Sequence, residues 1–134
     1  MSKIPNTPHT GDDIPVLHLP PVSLEMLNAY AAASGDHAAV HLDTENARSM
    51  GFSDVIAHGL LVMAFMGRAV TDRFALQNLL SLSARFTDVV NLGDALACHG
   101  KITEIRADAT CVLDLAVQNQ HGQVKIKGQA IVKF

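Results

Sequence analysis

The sequence predicts an α+β fold in which a curled antiparallel sheet wraps around one long buried helix. The run from Val55 to Gly67 is almost wholly apolar, which is typical of a helix that is covered on every side. From Leu80 onward, apolar and polar residues alternate, as they do in strands with one solvated face. Short turn sequences separate these alternating segments, and connections of that length join antiparallel strands.

Ahead of the apolar run, the chain is predicted to form one short strand and two helices. Ile14 to Leu19 is the predicted strand. Ser23 to Ser34 reads as an amphipathic helix, because Ser23 is a good N-cap residue and apolar residues recur at spacings of three and four. Gly35 ends this helix, as glycine commonly does. A second, shorter helix is predicted from Thr44 to Met50, with acidic residues in its first turn.

Beyond the apolar run, turn sequences at residues 91–94, 106–108 and 119–122 divide the chain into four predicted strands. In the last strand, Lys125, Lys127 and Lys133 alternate with apolar residues, which predicts an exposed basic stripe. So small a sheet leaves an exposed edge. Pairing that edge with a second chain would protect it, and a two-fold dimer is the commonest arrangement.

Composition limits the class of protein. The 134 residues are 49% hydrophobic and 17% charged, which fits one globular domain, predicted at residues 14–134 after a flexible polar arm at residues 1–13. The net charge of −3 and the lack of any basic run argue against nucleic-acid binding. The apolar run is shorter than the roughly 20 residues of a membrane span. Two cysteines, Cys98 and Cys111, predict reduced thiols and, with no visible signal peptide, a cytoplasmic protein.

Asp36 and His41 are the strongest candidates for chemistry. They lie in the loop-like segment that follows Gly35, and both side chains can accept a proton near pH 7. Their separation of five residues does not fit one helix face, so the backbone between them must curve if they act together. The alternative is that Asp36 caps a helix and His41 is an ordinary surface or core residue.

Three blocks of sequence, in the same order and at fitting distances, resemble the MaoC-like (R)-specific enoyl-CoA hydratases and 3-hydroxyacyl dehydratases of the hot-dog fold. The first block is Tyr30, Ser34-Gly35-Asp36, Val40-His41 and Ala47; the second is Ile56-Ala57-His58-Gly59-Leu60; the third is Arg85-Phe86-Thr87 with Gly93-Asp94. The resemblance covers nearly all of the chain from Ile14 to Phe134.

The resemblance implies a catalytic role for three positions. Asp36 and His41 match the pair that holds a water molecule, which adds to C3 of a trans-2-enoyl thioester and gives an (R)-3-hydroxyacyl thioester. Gly59 matches the glycine whose backbone N–H binds the thioester carbonyl. The implied enzyme is a hydro-lyase without a metal or redox cofactor. Coenzyme A is expected as part of the substrate, with acyl carrier protein as the other possible carrier. A homodimer is expected, and a heterodimer is the alternative.

Four more residues are candidates for substrate binding, each with a plainer alternative. His58 is expected either near the site or as a buried structural histidine. Met63 either lines an acyl tunnel or fills the core, and Gly67 either leaves room for a longer acyl tail or allows close helix packing. Arg85 is expected to meet the phosphates of coenzyme A or to be solvated on its strand. The histidines have no metal-ligand spacing, so no metal is predicted.

One departure from the family pattern affects the functional prediction. The family has Asn-Pro between the catalytic pair, and this chain has Ala38-Ala39. The family's asparagine contributes a hydrogen bond that alanine lacks, and its proline stiffens the loop. A partner-dependent subunit of a heteromeric dehydratase is therefore the alternative to an enzyme that acts alone. A thioesterase, the other common activity of the fold, fits the Gly-Asp-(five)-His signature less well.

Overall fold

The structure is a computed structural model that describes residues 7–134. The elements in chain order are β1 (Leu17–His18), α1 (Leu24–Ser34), α2 (Thr44–Ser49), α3 (Gly59–Thr71), β2 (Leu79–Phe86), β3 (Ala97–Ile105), β4 (Thr110–Gln118) and β5 (Val124–Lys133). Two short 3-10 turns cover Ala39–His41 and Leu76–Asn78. Among the described residues, no helix is both long enough and apolar enough to cross a bilayer.

The strands form one five-stranded antiparallel sheet in the order β1-β3-β4-β5-β2. The predicted α+β fold, with a sheet built on hairpins and packed against the central helix, is confirmed. One cross-strand row shows how the register builds the core: Ile102 pairs with Leu113, Leu113 with Ala130, and Ala130 with Leu82. The first three of these residues are at most 2% exposed, so this face of the sheet is the face that α3 covers.

Helix α3 is buried on one side only, which corrects the prediction of burial on all sides. Val62, Met66 and Val70 are at most 1% exposed against the sheet. Gly128 of β5 allows this close packing, because a Cβ there would lie 2.5 Å from the Met66 Cε atom. On the other side of α3, Leu60 is 63% exposed. Within residues 7–134, no element covers Leu60. An all-apolar helix therefore does not by itself predict whether its own chain or a second chain covers it.

The predicted N-terminal arm is partly held against the sheet. The N–H of Gly11 donates to the carbonyl of Ile102 at 2.7 Å, and the N–H of Ile102 donates to the carbonyl of Asp12 at 2.8 Å. Asp13 forms a β-bridge with Lys101. The predicted boundary at residues 13 and 14 therefore falls inside this pairing, because a polar segment can still satisfy its backbone groups along a sheet edge. Residues 1–6 of the predicted arm lie outside the described residues.

The predicted basic stripe is wrong for one of its three members. Lys127 and Lys133 are exposed, but Lys125 is only 1% exposed. Strand periodicity predicts the face away from α3 for Lys125, but the register of β4 and β5 shifts at this point, since Val117 pairs with Ile126 and Gln118 with Val124. Its ammonium group nevertheless lies 2.9 Å from the Asp88 carboxylate, whose loop follows β2. Tertiary contact with that loop, which periodicity cannot predict, removes the lysine from solvent.

Candidate active site

The loop that carries Asp36 begins where α1 ends. Gly35 has φ of +78°, a left-handed conformation that suits glycine, and its N–H donates to the Ala31 carbonyl at 2.9 Å. The chain then turns back through the 3-10 turn at Ala39–His41. One Asp36 carboxylate oxygen accepts a hydrogen bond from the Ala38 N–H at 3.2 Å. The backbone curve that the five-residue separation of Asp36 and His41 requires is therefore present.

The imidazole of His41 is held in one orientation. Its Nδ1 atom lies 2.8 Å from the carbonyl oxygen of Ile56. A carbonyl oxygen only accepts, so Nδ1 carries the hydrogen and donates it. In the neutral ring, Nε2 is then the unprotonated nitrogen and is available as a proton acceptor. Ile56 acts through its backbone, so the sequence gives no sign of this contact beyond the place of Ile56 as the first residue of the second block.

His58 makes the reciprocal contact. Its Nε2 lies 3.0 Å from the carbonyl oxygen of Asp36 and donates to it. The loop of Asp36 and His41 and the segment of Ile56 and His58 thus each donate a histidine hydrogen to the other's backbone. His58 is only 1% exposed, and its Nδ1 has no hydrogen-bond partner among the described residues. The expectation of a buried, hydrogen-bonded histidine is met, and the side chain also lies at the site.

The two imidazole rings stack on each other. Their centroids are 4.0 Å apart at an interplanar angle of 27°, and the ring of Tyr30 meets His58 edge-on at a centroid distance of 4.8 Å. One ligand atom from each of Asp36, His41 and His58 lies within 4.8 Å of the others, a spacing that a metal site would also allow. Each histidine already donates one nitrogen's hydrogen to a backbone carbonyl, and the absence of a metal stays a prediction.

Gly59 is the first residue of α3, directly after His58. The first N–H groups of a helix have no partner within the helix, and the helix dipole makes this end attractive to negative charge. A Cβ on Gly59 would lie 3.1 Å from Cε1 of Phe86 on β2. Glycine therefore leaves the approach to its own amide less crowded. The sequence gives Phe86 only as part of the third block and not as a neighbour of Gly59. In the structure its side chain is 51% exposed.

The candidate substrate-binding residues fall on two sides of the sheet. Met63 and Gly67 follow Gly59 at four-residue steps, which places all three on one face of α3. A Cβ on Gly67 would lie 3.2 Å from Cδ2 of Leu82, so this helix face runs along β2. Arg85 adjoins Phe86 in β2 and therefore points to the opposite face of the sheet. Within one chain, the structure does not bring Arg85 to Asp36 and His41.

Nucleophilic cysteine chemistry has no support in the structure. Cys98 is fully buried, and burial raises the pKa of its thiol to about 12, against a smaller opposing effect of the Arg68 charge. Burial also raises the pKa of Cys111. A thiol with so high a pKa is almost wholly protonated near neutral pH, and the thiolate is the reactive form.

Comparison with known families agrees with this geometry. The sequence model described as MaoC-like domain matches residues 4–123, which include Asp36, His41, Gly59 and all of α3. The chain belongs to the MaoC-like domain family. The resemblance seen in the sequence is thereby confirmed at the level of the family.

Two curated relatives show how far the likeness of this MaoC-like chain extends. The mitochondrial 3-hydroxyacyl-acyl-carrier-protein dehydratase of Arabidopsis thaliana is 35% identical over 74 residues, 55% of this chain and 45% of that protein. The aligned region is thus less than half of the Arabidopsis protein's length. The (R)-specific enoyl-CoA hydratase of Aeromonas caviae is 28% identical over 111 residues, which cover 79% of this chain and 81% of that one.

Solved structures of MaoC-like proteins share the fold. The unliganded R-hydratase PhaJ1 from Pseudomonas aeruginosa has a TM-score of 0.83 and 29% identity, covering 92% of this chain and 80% of that chain. A chain of the ChsH1-ChsH2 complex from Mycobacterium tuberculosis has a TM-score of 0.85 and 20% identity, covering 94% of this chain and 98% of that chain. The second likeness shows the hot-dog fold alone.

Proposed function

We propose that the protein is a hydro-lyase that adds water to trans-2-enoyl-CoA to give (R)-3-hydroxyacyl-CoA, or catalyses the reverse dehydration. The observation that carries the proposal is the fixed orientation of His41. With Nδ1 donating to Ile56, the Nε2 lone pair is left for a water hydrogen. An Asp36 carboxylate oxygen lies within 4.8 Å of a ring nitrogen of His41 and offers a second acceptor. Two acceptors side by side suit one water molecule, whose oxygen would then be free to attack C3.

Each proton and bond in this reaction has a proposed place. As the water oxygen bonds to C3, one water proton passes to Asp36 or His41, and the electrons of the C2–C3 double bond move onto the thioester carbonyl oxygen. The backbone N–H of Gly59, at the start of α3, stabilises this enolate oxygen. Return of the proton to C2 completes the product. No residue other than this pair has to supply or remove a proton.

The acyl chain is proposed to lie between α3 and β2. Gly59, Met63 and Gly67 share the helix face that meets β2, where a Cβ on Gly59 would lie 3.1 Å from Phe86 and one on Gly67 3.2 Å from Leu82. The acyl chain would therefore enter by displacing the side chains of Leu82 and Phe86. Gly59 and Gly67 are eight residues apart on the helix, or about 12 Å at 1.5 Å per residue. Beyond this length the side chain of Leu82 would limit the acyl tail. His58 supports the site through Asp36, and Arg85 is left as a candidate for coenzyme A phosphates only across a subunit interface.

A homodimer is the proposed form of the protein. Leu60 of α3 and Leu80 of β2 are 63% and 57% exposed, and β2 is an edge strand. The Asp36 loop is itself exposed, including Ala38 and Ala39, so a second chain would both cover apolar surface and close the site to water. A cytoplasmic location also stays a prediction.

A partner-dependent subunit is the second candidate. The specific observation in its favour is Ala38-Ala39, which removes the polar side chain and the rigid proline found in the family's catalytic loop. Retention of Asp36 and His41 would make this chain the catalytic half of such a pair. No similar observation favours a thioesterase.

The test follows loss of conjugated enoyl absorbance by the purified chain with trans-2-enoyl-CoA substrates of several lengths, and determines the chirality of the product. Hydration by wild type and its loss in His41→Gln, at unchanged native mass, is the expected result. Inert wild type on every length would reject an enzyme that acts alone, and restored activity with a second subunit would support the alternative. Release of free thiol would instead indicate a thioesterase.

A further inference from the structure

Lys125 is a buried cation outside the site, and none of the proposed catalytic steps uses it. Its Nζ atom lies 2.9 Å from an Asp88 carboxylate oxygen and 3.9 Å from an Asp94 carboxylate oxygen. Asp94 is also buried, at 7% exposure, whereas the Asp88 side chain is half exposed. One ammonium group thus contacts both ends of the loop that runs from residue 88 to residue 94, which we call the 88–94 loop.

The 88–94 loop is organised around the Asp94 end of this contact. The Asp94 carboxylate oxygen that faces Lys125 also accepts a hydrogen bond from the Asn91 N–H at 2.9 Å. The Asp94 N–H donates to the Asn91 carbonyl at 3.1 Å, which closes the turn. The lysine therefore compensates the charge of a buried carboxylate whose hydrogen bond shapes the turn at Asn91.

From this turn, the contacts lead directly to the active site. The carbonyl of Val90 accepts from the Ala57 N–H at 2.8 Å, and Asn91 forms a β-bridge with Ile56. The Ile56 carbonyl is the acceptor that fixes Nδ1 of His41. Ala57 is two residues from Gly59, the proposed oxyanion donor. The 88–94 loop is thus the support on which the Ile56–Ala57 segment lies.

We propose that Lys125 is a positioning residue for the reaction, which holds the 88–94 loop in the shape that presents Ile56 to His41. This inference rests on the proposed hydratase function. A buried charge pair is a poor way to gain stability, since an apolar side chain of similar volume often serves as well. The presence of such a pair beneath the Ile56–Ala57 segment is better explained by positioning, because two charged groups in contact have few alternative side-chain arrangements.

Backbone hydrogen bonds at Lys125 allow the role of its side chain to be tested separately from folding. The Lys125 carbonyl accepts hydrogen bonds from the N–H groups of Thr87 and Asp88, at 3.0 and 3.3 Å, and these do not depend on its side chain. The Asp94 backbone is also held, because its carbonyl accepts from the Val22 N–H at 2.9 Å. Replacement of the lysine side chain should therefore keep both ends of the 88–94 loop attached and leave the Asp94 carboxylate, which shapes the turn at Asn91, without its cation. The expected disturbance is local and reaches Ile56.

The test compares Lys125→Met with Lys127→Met, the matched loss of an exposed lysine two residues further along β5. Both are measured for kcat and KM and for the side-chain ¹⁵N signals of His41, at a temperature at which each is folded. For Lys125→Met, kcat is expected to fall by roughly ten- to a hundredfold with a smaller change in KM, as for a small misplacement of a catalytic group. His41 is expected to change from a single Nδ1–H tautomer to a mixture. Lys127→Met is expected to match wild type in both.

Asp88→Asn keeps the proposal testable if Lys125→Met does not fold, because Asp88 is half exposed and its loss should be tolerated. It is expected to shift the His41 signals in the same direction by a smaller amount. Wild-type His41 signals in the folded variant, whatever happens to the melting temperature, would show a purely structural ion pair and overturn the proposal. If wild type itself lacks hydratase activity, the proposed function fails, and the His41 signals still decide the role of Lys125.

Discussion

Replacement of Gly59 by alanine is expected to lower catalytic activity while leaving the stability of the fold nearly unchanged. The added Cβ would lie 3.1 Å from Cε1 and 3.3 Å from Cδ1 of Phe86, a few tenths of an ångström closer than ordinary contact. Phe86 is half exposed on an edge strand, so its ring can move at small cost. Alanine is also the better helix former, by at most about 1 kcal/mol. The melting temperature of Gly59→Ala is therefore expected to stay near that of wild type.

Activity is expected to respond much more strongly. The methyl group would stand beside the N–H that is proposed to bind the enolate oxygen, and the helix start would shift slightly away from Phe86. Complete loss of one such donor lowers kcat by about 10²–10³. Partial displacement should give a loss between about tenfold and that limit. The fall should lie in kcat more than in KM, because the donor acts mainly on the charge that develops during the reaction.

The assay is steady-state loss of enoyl absorbance, alongside thermal unfolding followed by circular dichroism. The double variant Gly59→Ala, Phe86→Leu removes the ring contact but keeps the methyl group at the amide. If the double variant is as impaired as Gly59→Ala, crowding at the amide itself is the cause. Gly59→Ala with wild-type kcat on every substrate would refute the placement of the oxyanion at the start of α3.

Four further outcomes are expected. Asp36→Asn should lower kcat by about 10²–10⁴ without lowering the melting temperature, since its side chain is exposed and the amide keeps the size of the acid; unchanged turnover would exclude Asp36 as a proton acceptor. Gly67→Leu should lose long trans-2-enoyl-CoA substrates before short ones, measured as kcat/KM against chain length, and an even loss at all lengths would place the acyl chain elsewhere. Leu80→Lys should lower the native mass by sedimentation, and an unchanged dimer would move the interface away from β2. The hydrogen bond from Lys125 lowers the pKa of Asp88 below the usual 3.8, so the stabilisation by this pair is present above that value and is lost as the pH falls through the folded pKa. The melting temperature of Asp88→Asn should therefore depend less on pH in this acid range than that of wild type. Equal pH dependence of the two proteins would argue against a stabilising pair.

The sequence predicts the strands well because their signal is local. Alternation placed one strand at residues 95–105, and β3 is Ala97–Ile105. The same alternation put Lys125 on the outer face of β5 but could not tell that the 88–94 loop covers it. Likewise, the apolar run showed that α3 needs cover on every side, whereas one chain covers only part of it. In both cases, the missing information is a contact between segments distant in sequence.

The candidate site likewise has a part that the sequence predicts and a part that it does not. Asp36 and His41 are identifiable as candidates because their side chains can accept protons and their spacing matches the family signature. The contact between Ile56 and His41 was not, because a backbone carbonyl leaves no mark on residue identity. The support from Asn91 to Ile56 is hidden for the same reason. Motifs thus identify the candidate reacting groups, and only the three-dimensional structure shows which backbone groups orient them.

The reciprocal histidine contacts have a consequence for protein engineering. His41 depends on the backbone at Ile56, and His58 depends on the backbone at Asp36, so neither segment is complete without the other. A graft that moves only the Asp36–His41 loop into a related scaffold would carry the proposed catalytic groups, and their alignment would depend on where the recipient places the backbone carbonyl that corresponds to Ile56. The two segments form one exchangeable unit, although 14 residues separate His41 from Ile56 in the chain. Recombination between homologues should therefore tolerate a crossover between Asp36 and Gly59 only where both parents share the backbone path at Asp36 and at Ile56.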